Sequence, residues 1–248
     1  MPAMLSTERR SRLLDILGRD GAIRLDPVAD ELGVSAMTIR RDLADLEAEG
    51  LVRRVRGGAV APVLPRPFGD RMTTRSPAKA AIARKALDLV PAAGAIAVDA
   101  STSSGVLVDL IDARDLVLAT NSADTAAAAR RRPGVRSILV GGELEERTGS
   151  FVGPVACRAA AALGYSRFFT SASAVGAEGT SEVSLEEAQL KDVFAAASDD
   201  TVLLADSSKL GQRAVARALD WDRVDLLVTE LDPADARLDP YRDLVDIR

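Results

Sequence analysis

Apolar residues recur at helical spacing three times within the first sixty positions of the chain. The three apolar stripes consist of Leu13, Ile16 and Leu17, then Val28 and Leu32, then Ile39, Leu43 and Leu46. The first helix is expected to begin near Ser6 or Thr7, and the third directly after Ser35. Two short extended runs follow and meet at Gly57-Gly58, a dipeptide suited to a tight turn. The pattern predicts three helices followed by a β-hairpin.

Residues that begin and end helices flank these stripes. Asp26 is the expected N-cap of the second helix, with Pro27 in its first turn. The glycines expected to close the three helices are Gly21, Gly33 and Gly50. The short turn at residues 33–35 is typical of a helix-turn-helix. Three helices and an arginine-bearing hairpin describe a winged helix-turn-helix, whose third helix enters the DNA major groove.

Arginines are concentrated on the third helix and the hairpin. Arg40 and Arg41 could pair with guanine edges, and the hairpin arginines could contact the DNA backbone. The candidate DNA-binding residues are Ser35, Met37, Thr38, Arg40, Arg41, Arg53, Arg54 and Arg56. A plainer interpretation is an exposed helix pair between Arg41 and Asp45, four residues apart. On spacing alone, a helical protein-interaction module therefore stays an alternative.

A proline-rich stretch divides the chain. Four prolines between Val60 and Pro77 interrupt any regular pattern and indicate a linker. The expected organisation is a winged helix-turn-helix over residues 1–60, a linker over 61–77 and a second domain over 78–248.

Short apolar runs alternate with helix-like stretches after the linker. The six strand-like runs are residues 95–99, 116–119, 137–140, 167–170, 201–205 and 226–228. This alternation predicts an open, mostly parallel sheet, so the whole chain is expected to be a multi-domain α/β protein. Ligands of such sheets bind beyond the carboxyl ends of the strands.

Small hydroxylated residues and glycines follow most of these runs. They leave backbone N–H groups available to an anion, which favours a phosphate-bearing small molecule, and Lys209 could supply a matching charge. Each loop by itself also admits a structural interpretation, because Ser, Thr, Asn and Gly cap helices and form turns. None of the loops matches a P-loop or a GxGxxG motif.

Composition excludes several kinds of site. The 248 residues include no histidine and one cysteine, Cys157, which removes histidine-dependent catalytic triads, histidine-ligated metals and an internal disulfide. We expect no metal and no cofactor, and we expect Cys157 to be a packing residue. The net charge of −5 argues against nonspecific coating of nucleic acid. Without a signal-peptide core or an apolar run near the roughly 20 residues of a membrane helix, a cytoplasmic location is expected.

The N-terminal segment resembles the DNA-binding domain of DeoR-type bacterial repressors. The resemblance rests on Val28–Ser35, Met37–Leu43 and Gly50–Ala59. Arg56 stands where the family often has a histidine, which keeps positive charge on the wing.

The C-terminal segment resembles the DeoR-type sensor domain, which is similar in fold to ribose-5-phosphate isomerase. The matching segments are Asp99–Ser103, Thr120–Ser122, Gly141–Leu144, Gly149–Pro154, Glu186–Ala188 with Lys191, and Asp206–Lys209. The effector-binding residues implied by the resemblance are Asp99, Ser101, Thr102, Ser103, Thr120, Asn121, Ser122, Gly141, Gly142, Ser173, Lys191 and Lys209.

Two segments depart from the family pattern. Ser171–Ala174 stands where many members have Gly-Ala-Asp-Gly, and Gly179–Glu182 stands where Gly-Leu-Thr-Thr is more usual. Both departures would alter which sugar is recognised, or weaken its recognition.

The resemblance implies a transcriptional regulator without enzymatic activity. Such a protein represses genes of sugar metabolism, binds double-stranded operator DNA and is released by a phosphorylated sugar. A dimer or tetramer formed through the C-terminal domain is expected to place two DNA-binding heads on repeated half-sites.

Two alternatives remain. One is a sugar-phosphate isomerase-like enzyme with Glu187 as its base, which would leave residues 1–60 without a role. The other is a regulator that has lost its effector response. Glu187 also admits a plain interpretation as a surface pair with Lys191, four residues later.

Overall fold

A computed structural model describes residues 6–20, 22–48, 51–60, 68–146 and 148–248. The chain divides into two compact units, Met1–Arg66 and Pro67–Arg248. Residues 68–77, which the proline pattern places in the linker, lie in the second unit and begin its first helices. In the described part of the chain, every helix is too short or too polar to cross a membrane.

The N-terminal unit is a winged helix-turn-helix. Its elements are α1 (Ser6–Asp20), β1 (Ala22–Arg24), α2 (Leu25–Leu32), α3 (Ala36–Ala48), β2 (Arg53–Val55) and β3 (Gly58–Val60). The three predicted helices are confirmed, because their apolar stripes form one buried core. Strand β1 was not predicted, since it has three residues and lies between two helices; it pairs with β3 to give an antiparallel sheet of order β1-β3-β2.

The ends of α2 and α3 agree only in part with the expected caps. The residue before α2 is Arg24, which makes no side-chain cap, so the assignment of Asp26 as N-cap was wrong and Asp26 lies in the first turn. Gly33 ends α2 with a φ of 64°, as predicted. Ser35 Oγ accepts a hydrogen bond from the backbone N–H of Thr38 at 3.1 Å, which confirms the start of α3. The expected ends at Gly21 and Gly50 lie outside the described residues.

The wing turns one residue earlier than predicted. Val55 pairs with Gly58, so the turn residues are Arg56 and Gly57, and Gly57 has a φ of 86°. Gly58 belongs to β3 instead, where an added Cβ would lie 1.8 Å from the carbonyl oxygen of Ile23. The first glycine therefore supplies the turn conformation and the second allows the close approach of β1.

The C-terminal unit is an α/β domain. Its strands are β4 (Ala93–Val98), β5 (Asp115–Thr120), β6 (Val135–Leu139), β7 (Glu143–Glu145), β8 (Ser150–Val152), β9 (Tyr165–Thr170), β10 (Ala174–Gly176), β11 (Gly179–Glu182), β12 (Ser198–Leu204), β13 (Ala216–Asp220), β14 (Leu226–Val228) and β15 (Asp246–Ile247). Its helices are α4 (Phe68–Thr73), α5 (Ser76–Ala86), α6 (Thr102–Val108), α7 (Ala123–Ala129), α8 (Gly153–Ala161) and α9 (Leu185–Ala196), with 3-10 helices at Leu87–Leu89, Ser207–Lys209, Trp221–Arg223 and Ala236–Tyr241.

Seven strands form one parallel sheet of order β15-β14-β12-β9-β4-β5-β6. All six predicted strands are in it, and the short edge strand β15 is the addition. Two antiparallel sheets, β10-β11-β13 and β7-β8, were not predicted because their strands have three to five residues and little apolar patterning.

Helices cover both faces of the parallel sheet. Ile96 and Val98 of β4 pack in one core with α5, α6 and α7, whereas Ala97 packs in the other with α8 and α9. Strands buried on both faces read as continuous apolar runs, which is why the sequence revealed them. Cys157 is partly buried against the second core, in agreement with a packing role.

Candidate functional site

The exposed face of α3 carries its candidate DNA-contacting side chains. Ile39 is buried, whereas Arg40 and Arg41 are exposed and Met37 has 66% of its surface exposed. In the described part of the chain, Arg40 and Arg41 form no hydrogen bond or ion pair, so the pair between Arg41 and Asp45 is not observed. Both guanidinium groups can therefore meet DNA without first breaking an internal contact.

An ion pair beneath this face fixes α3 against α1. Arg9 donates from Nε to Asp42 Oδ2 at 2.5 Å and from Nη2 to Asp42 Oδ1 at 3.0 Å. Both residues are buried, and the hydrogen bond to Asp42 raises the pKa of Arg9. A two-point contact restricts rotation of α3 about its axis, which sets the direction of Arg40 and Arg41. Sequence reasoning missed this pair because its members are 33 positions apart.

The wing arginines differ in their contacts. Arg53 and Arg56 are exposed and take no hydrogen bond or ion pair in the described residues. Arg54 instead contacts Glu47 of α3, with its backbone N–H donating to Oε1 at 2.8 Å and its Nε to Oε2 at 2.6 Å. The backbone hydrogen bond and the guanidinium of Arg54 lower the pKa of Glu47. Arg54 thus fixes the wing to the end of α3.

Asp99 is the centre of a buried network in the second unit. It follows β4 and accepts hydrogen bonds from the backbone N–H groups of Ser101 and Ser171, both at 3.0 Å, and from Thr170 Oγ1 at 2.7 Å. Burial opposes its ionisation, but the charge of Lys191 and these hydrogen bonds outweigh burial and lower the pKa of Asp99 to about 2. Asp99 is therefore a carboxylate that joins the loops after β4 and β9.

Lys191 projects from α9 into the same network. Its Nζ lies 3.0 Å from Asp99 Oδ2 and donates to Ser171 O at 2.7 Å and to Glu182 Oε1 at 2.5 Å. Burial opposes its charge, but Asp99, Glu182 and Glu187 outweigh burial and raise the pKa of Lys191. An ammonium group has three N–H donors, so these three acceptors saturate Lys191.

Lys209 reaches the network from the loop after β12. Its Nζ donates to Ser171 Oγ at 2.7 Å, and the Ser171 hydroxyl donates to Leu204 O at 2.5 Å. Burial lowers the pKa of Lys209, and the negative charge of Asp206 opposes that effect. Asp206 lies 3.8 Å from Arg75 Nε, so the loop after β12 is also linked to the start of α5.

Several predicted effector residues act as helix caps. Ser101 Oγ accepts from the Ser104 N–H, and Ser122 Oγ accepts from the Thr125 N–H. Thr120 Oγ1 accepts from the Ser122 N–H at 3.1 Å. These three side chains therefore cap helices or form turns, as the structural interpretation of the loops expects. Their role in effector binding stays a prediction.

Other polar atoms at the carboxyl edge of the parallel sheet can still form hydrogen bonds. Ser103 Oγ, Asn121 Oδ1 and Thr125 Oγ1 are buried and have no hydrogen-bond partner among the described residues. Each of these residues is 1% exposed. Buried polar atoms without partners are rare in folded proteins and require an explanation, such as a bound ligand. Thr102 begins α6 and is buried beside them.

The two glycines after β6 have different surroundings. A Cβ on Gly142 would lie 2.6 Å from Val152 O and 2.9 Å from Ala156 Cβ, whereas one on Gly141 would meet nothing within 4 Å. Gly142 therefore permits the close approach of this loop to β8 and α8. Ser173, after β9, donates to Glu182 Oε2 at 2.5 Å.

Glu187 and Lys191 are both buried, so their interpretation as a surface pair was wrong. Ser150 Oγ donates to Glu187 Oε1, which joins β8 to α9. Burial raises the pKa of Glu187, although Lys191 and the hydrogen bond from Ser150 oppose the shift. The sequence could not show that Glu187 faces inward, because α9 is buried along much of its circumference.

Polar contacts bring the loops of this sheet edge together. The β4 loop is joined to β9 through Asp99, β9 to α9 through Lys191, and β9 to the β12 loop through Ser171. Asn121 Nδ2 donates to Phe151 O at 3.2 Å, which joins the β5 loop to β8. The residues that sequence reasoning missed here are Arg71, Thr125, Ser150, Ser171, Glu182 and Asp206. Ser150 and Asp206 lie in segments that match the family and Ser171 and Glu182 in segments that depart from it, whereas Arg71 and Thr125 lie in none of these segments.

Comparison with known proteins agrees with this architecture. Residues 9–63 match the DeoR-like helix-turn-helix domain, and residues 74–231 match the DeoR C-terminal sensor domain. The chain is 32% identical to an uncharacterized HTH-type transcriptional regulator of Bacillus subtilis, over 94% of this chain and 93% of that relative. It is 30% identical to the HTH-type transcriptional regulator GlpR of Haloferax volcanii, over 92% and 91%. It is 27% identical to the glycerol-3-phosphate regulon repressor of Escherichia coli, over 93% of each.

Similarity to solved structures is more distant. Ribose 5-phosphate isomerase A of Methanocaldococcus jannaschii has a TM-score of 0.37 at 13% identity and covers 55% of each chain. The translation initiation factor eIF-2B of Pyrococcus horikoshii has a TM-score of 0.44 at 12% identity and covers 96% of this chain and 91% of that one.

A winged helix-turn-helix joined to an α/β sensor domain defines a class of transcriptional regulators. The two family matches and the full-length relatives show that this chain belongs to the DeoR family of that class.

Proposed function

We propose that this chain is a repressor of genes of sugar metabolism that binds operator DNA through α3 and the wing. The observation that carries the proposal is the exposed pair Arg40 and Arg41 on a helix whose orientation Arg9 and Asp42 fix. Relatives include the glycerol-3-phosphate regulon repressor of Escherichia coli and the lactose phosphotransferase system repressor of Streptococcus mutans, which supports a link to sugars.

The proposed signal is a phosphorylated sugar that binds at the carboxyl edge of the parallel sheet. Support comes from the unpartnered polar atoms of Ser103, Asn121 and Thr125 and from the buried cation Lys209, which lie in loops and helices that follow strands of this sheet. Phosphate oxygens accept hydrogen bonds from hydroxyl and ammonium groups, and sugar hydroxyls can donate to an amide oxygen. The effector releases the repressor only if it binds more tightly to the state with low operator affinity.

Operator selection tests the DNA-binding proposal. The full chain is used to select duplexes from a random library, and affinity for the selected sequence is compared among Arg40→Ala, Arg41→Ala and the control Arg84→Ala, an exposed arginine of α5. A bidentate guanine contact is worth about 1 to 3 kcal/mol, so one or both α3 variants should bind about 5- to 150-fold more weakly. Unchanged affinity in both would contradict the assignment.

Addition of phosphorylated sugars to the operator complex tests the effector. Release by a phosphorylated sugar and not by the free sugar supports the proposal, whereas operator binding insensitive to all compounds indicates a regulator without this response.

A dimer or tetramer is the proposed assembly, because one winged helix reads few base pairs. Light scattering of the DNA-free protein measures the oligomeric state.

An isomerase-like enzyme is the second candidate. Glu187 favours it, because a buried carboxyl with a raised pKa is typical of catalytic acids and bases. If the protein is a regulator, Glu187 has no catalytic role. Incubation of the purified chain with ribose 5-phosphate separates the two, since interconversion of pentose phosphates would require an enzyme.

A further inference from the structure

Arg71 lies on α4, the helix that opens the sensor unit, and its guanidinium reaches the carboxyl edge of the sheet. Its Nη2 lies 3.5 Å from Ala100 O and 3.3 Å from Thr148 O. Ala100 belongs to the loop after β4, and Thr148 lies two residues before β8. Arg71 therefore bridges two of the loops that surround the proposed effector site, although no sequence motif at this edge includes it.

Negative charges of four carboxylates act on the Arg71 guanidinium. Burial lowers the pKa of Arg71, while the negative charges of Glu187, Asp99, Glu182 and Glu145 oppose that shift. Guanidinium remains charged at neutral pH even after a substantial shift. The site thus holds a partly desolvated cation on the side of the β4 and β8 loops.

The other buried cations of the network are less suited to bind a ligand on that side. Lys191 already has three acceptors, Ser171 O, Glu182 Oε1 and Asp99 Oδ2. Lys209 lies on the side of the β12 loop, where it contacts Ser171 Oγ. The guanidinium of Arg71 instead donates from Nη2 to main-chain carbonyls of the β4 loop and of the segment before β8, so it lies on the side in question.

Polar atoms without partners lie in the adjacent helices. Ser103 on α6 follows Ala100 by three residues, and Thr125 lies on α7, which follows the neighbouring strand β5. Both hydroxyls are buried and lack a partner in the described part of the chain. A phosphate group accepts hydrogen bonds from hydroxyls and forms two-point contacts with guanidinium.

We propose that Arg71 binds the phosphate group of the effector, with the hydroxyls of Ser103 and Thr125 as further donors. The inference rests on the proposed function, because it takes the effector to be a phosphorylated sugar. Arg71 also connects the ligand to α4, whose end is held by a hydrogen bond from Lys79 Nζ to Arg71 O. Helix α4 is the first helix of the sensor unit along the chain, so a ligand bound by Arg71 contacts the element of this unit that is nearest in sequence to the DNA-binding unit.

Titration calorimetry of the full chain tests the proposal. The probes are inorganic phosphate, glycerol 3-phosphate, glucose 6-phosphate and fructose 1-phosphate, each beside its unphosphorylated form where one exists. Arg71→Met removes the cation at similar volume, Arg71→Lys keeps charge without the two-point geometry, and Arg84→Met on α5 is the control. Thermal unfolding without ligand and affinity for selected operator DNA show whether each variant is folded.

The expected result is at least about a tenfold loss of affinity for the bound phosphate ester in Arg71→Met, with a smaller loss in Arg71→Lys and none in Arg84→Met. Equal affinity of Arg71→Met and the parent chain for the ester would overturn the inference and leave the proposed function intact. Binding of inorganic phosphate alone, lost in Arg71→Met, would support Arg71 and contradict a sugar effector. If the parent chain binds none of the probes, the role of Arg71 and the phosphorylated-sugar effector are both contradicted, whereas the DNA-binding proposal is decided by the operator selection.

Discussion

The Ser173 hydroxyl donates a hydrogen bond to Glu182 Oε2 at 2.5 Å, and Glu182 Oε1 in turn accepts from Lys191. These two residues belong to the segments that depart from the family pattern, and they contact each other across the β10-β11 hairpin. Where the more usual sequence has an acidic residue at the position of Ser173, this chain supplies a carboxylate from Glu182. Relative to the more usual pattern, the departure at Ser173 removes one acid and the departure at Glu182 adds one, so the two compensate in charge, and Glu182 contacts Lys191 together with Asp99.

Replacing Ser173 by the acidic residue that is more usual at this position should destabilise this chain. Ser173→Asp places a second carboxylate against Glu182, and we expect a loss of about 1 kcal/mol or more in the free energy of unfolding. Ser173→Ala, which removes only the hydrogen bond, is the matched control. Urea unfolding followed by fluorescence of Trp221, the single tryptophan of the chain, measures the sensor unit. Ser173→Asp combined with Glu182→Gln should recover most of the loss, and failure to recover would contradict the compensation.

Acid should weaken the sensor unit between about pH 4 and pH 2. The pKa of Asp99 falls from 3.8 to about 2 on folding, so its contribution to stability is complete above the unfolded value and is lost as the pH falls through the folded one. The shift corresponds to about 2 kcal/mol. Asp99→Asn should flatten the stability profile in this range, and Asp112→Asn, at an exposed position of the same unit, is the control. Parallel profiles for the parent chain and Asp99→Asn would refute the assignment.

Removing one member of the Arg9–Asp42 pair should lower the temperature at which the DNA-binding unit unfolds. Arg9→Met leaves Asp42 buried without its main partner, and such a change costs about 3 to 5 kcal/mol. Circular dichroism should show an early transition that Trp221 fluorescence does not follow. The exposed Arg12→Met on the same helix is the control, and equal transitions in the two variants would contradict the prediction. Arg9→Met with Asp42→Leu should recover much of the stability.

The two wing arginines should differ in their effect on the salt dependence of operator binding. Arg53 is exposed, so Arg53→Ala should weaken binding to all sequences and reduce the slope of log K against log salt by about 1. The charge of Arg54 is already compensated by Glu47, so Arg54→Ala should change the slope less. If Arg53→Ala and Arg54→Ala reduce the slope equally, Arg54 leaves Glu47 to contact phosphate when the operator binds.

Adjacent glycines after β6 provide a matched pair for stability. Gly142→Ala should cost about 1 to 3 kcal/mol, because its Cβ would overlap Val152 O and the backbone has a φ of 153°. Gly141→Ala has open space around its Cβ and should be close to neutral. Urea unfolding monitored at Trp221 compares the two, and similar losses would contradict the close approach of this loop to β8.

Local pattern was sufficient for the main elements, and the resemblance to DeoR-type repressors indicated the class of protein. Helical spacing in α3 placed Arg40 and Arg41 away from Ile39, and continuous apolar runs predicted the six longer strands of the parallel sheet. Both signals depend only on residues close in sequence. Elements such as β1 and the β10-β11 hairpin have three or four residues, and their partners decide their conformation.

Contacts within the sites depended on the tertiary structure. The resemblance to DeoR-type sensor domains marked Asp99, Lys191 and Lys209 as candidates, but their contacts follow from the fold, in which Lys191 is saturated by Asp99, Ser171 and Glu182. It also decided that Arg71 reaches the β4 loop, 29 positions later in the chain. The physical reason is that partners so far apart in sequence meet only when parallel strands align their carboxyl ends, an arrangement that no local pattern encodes.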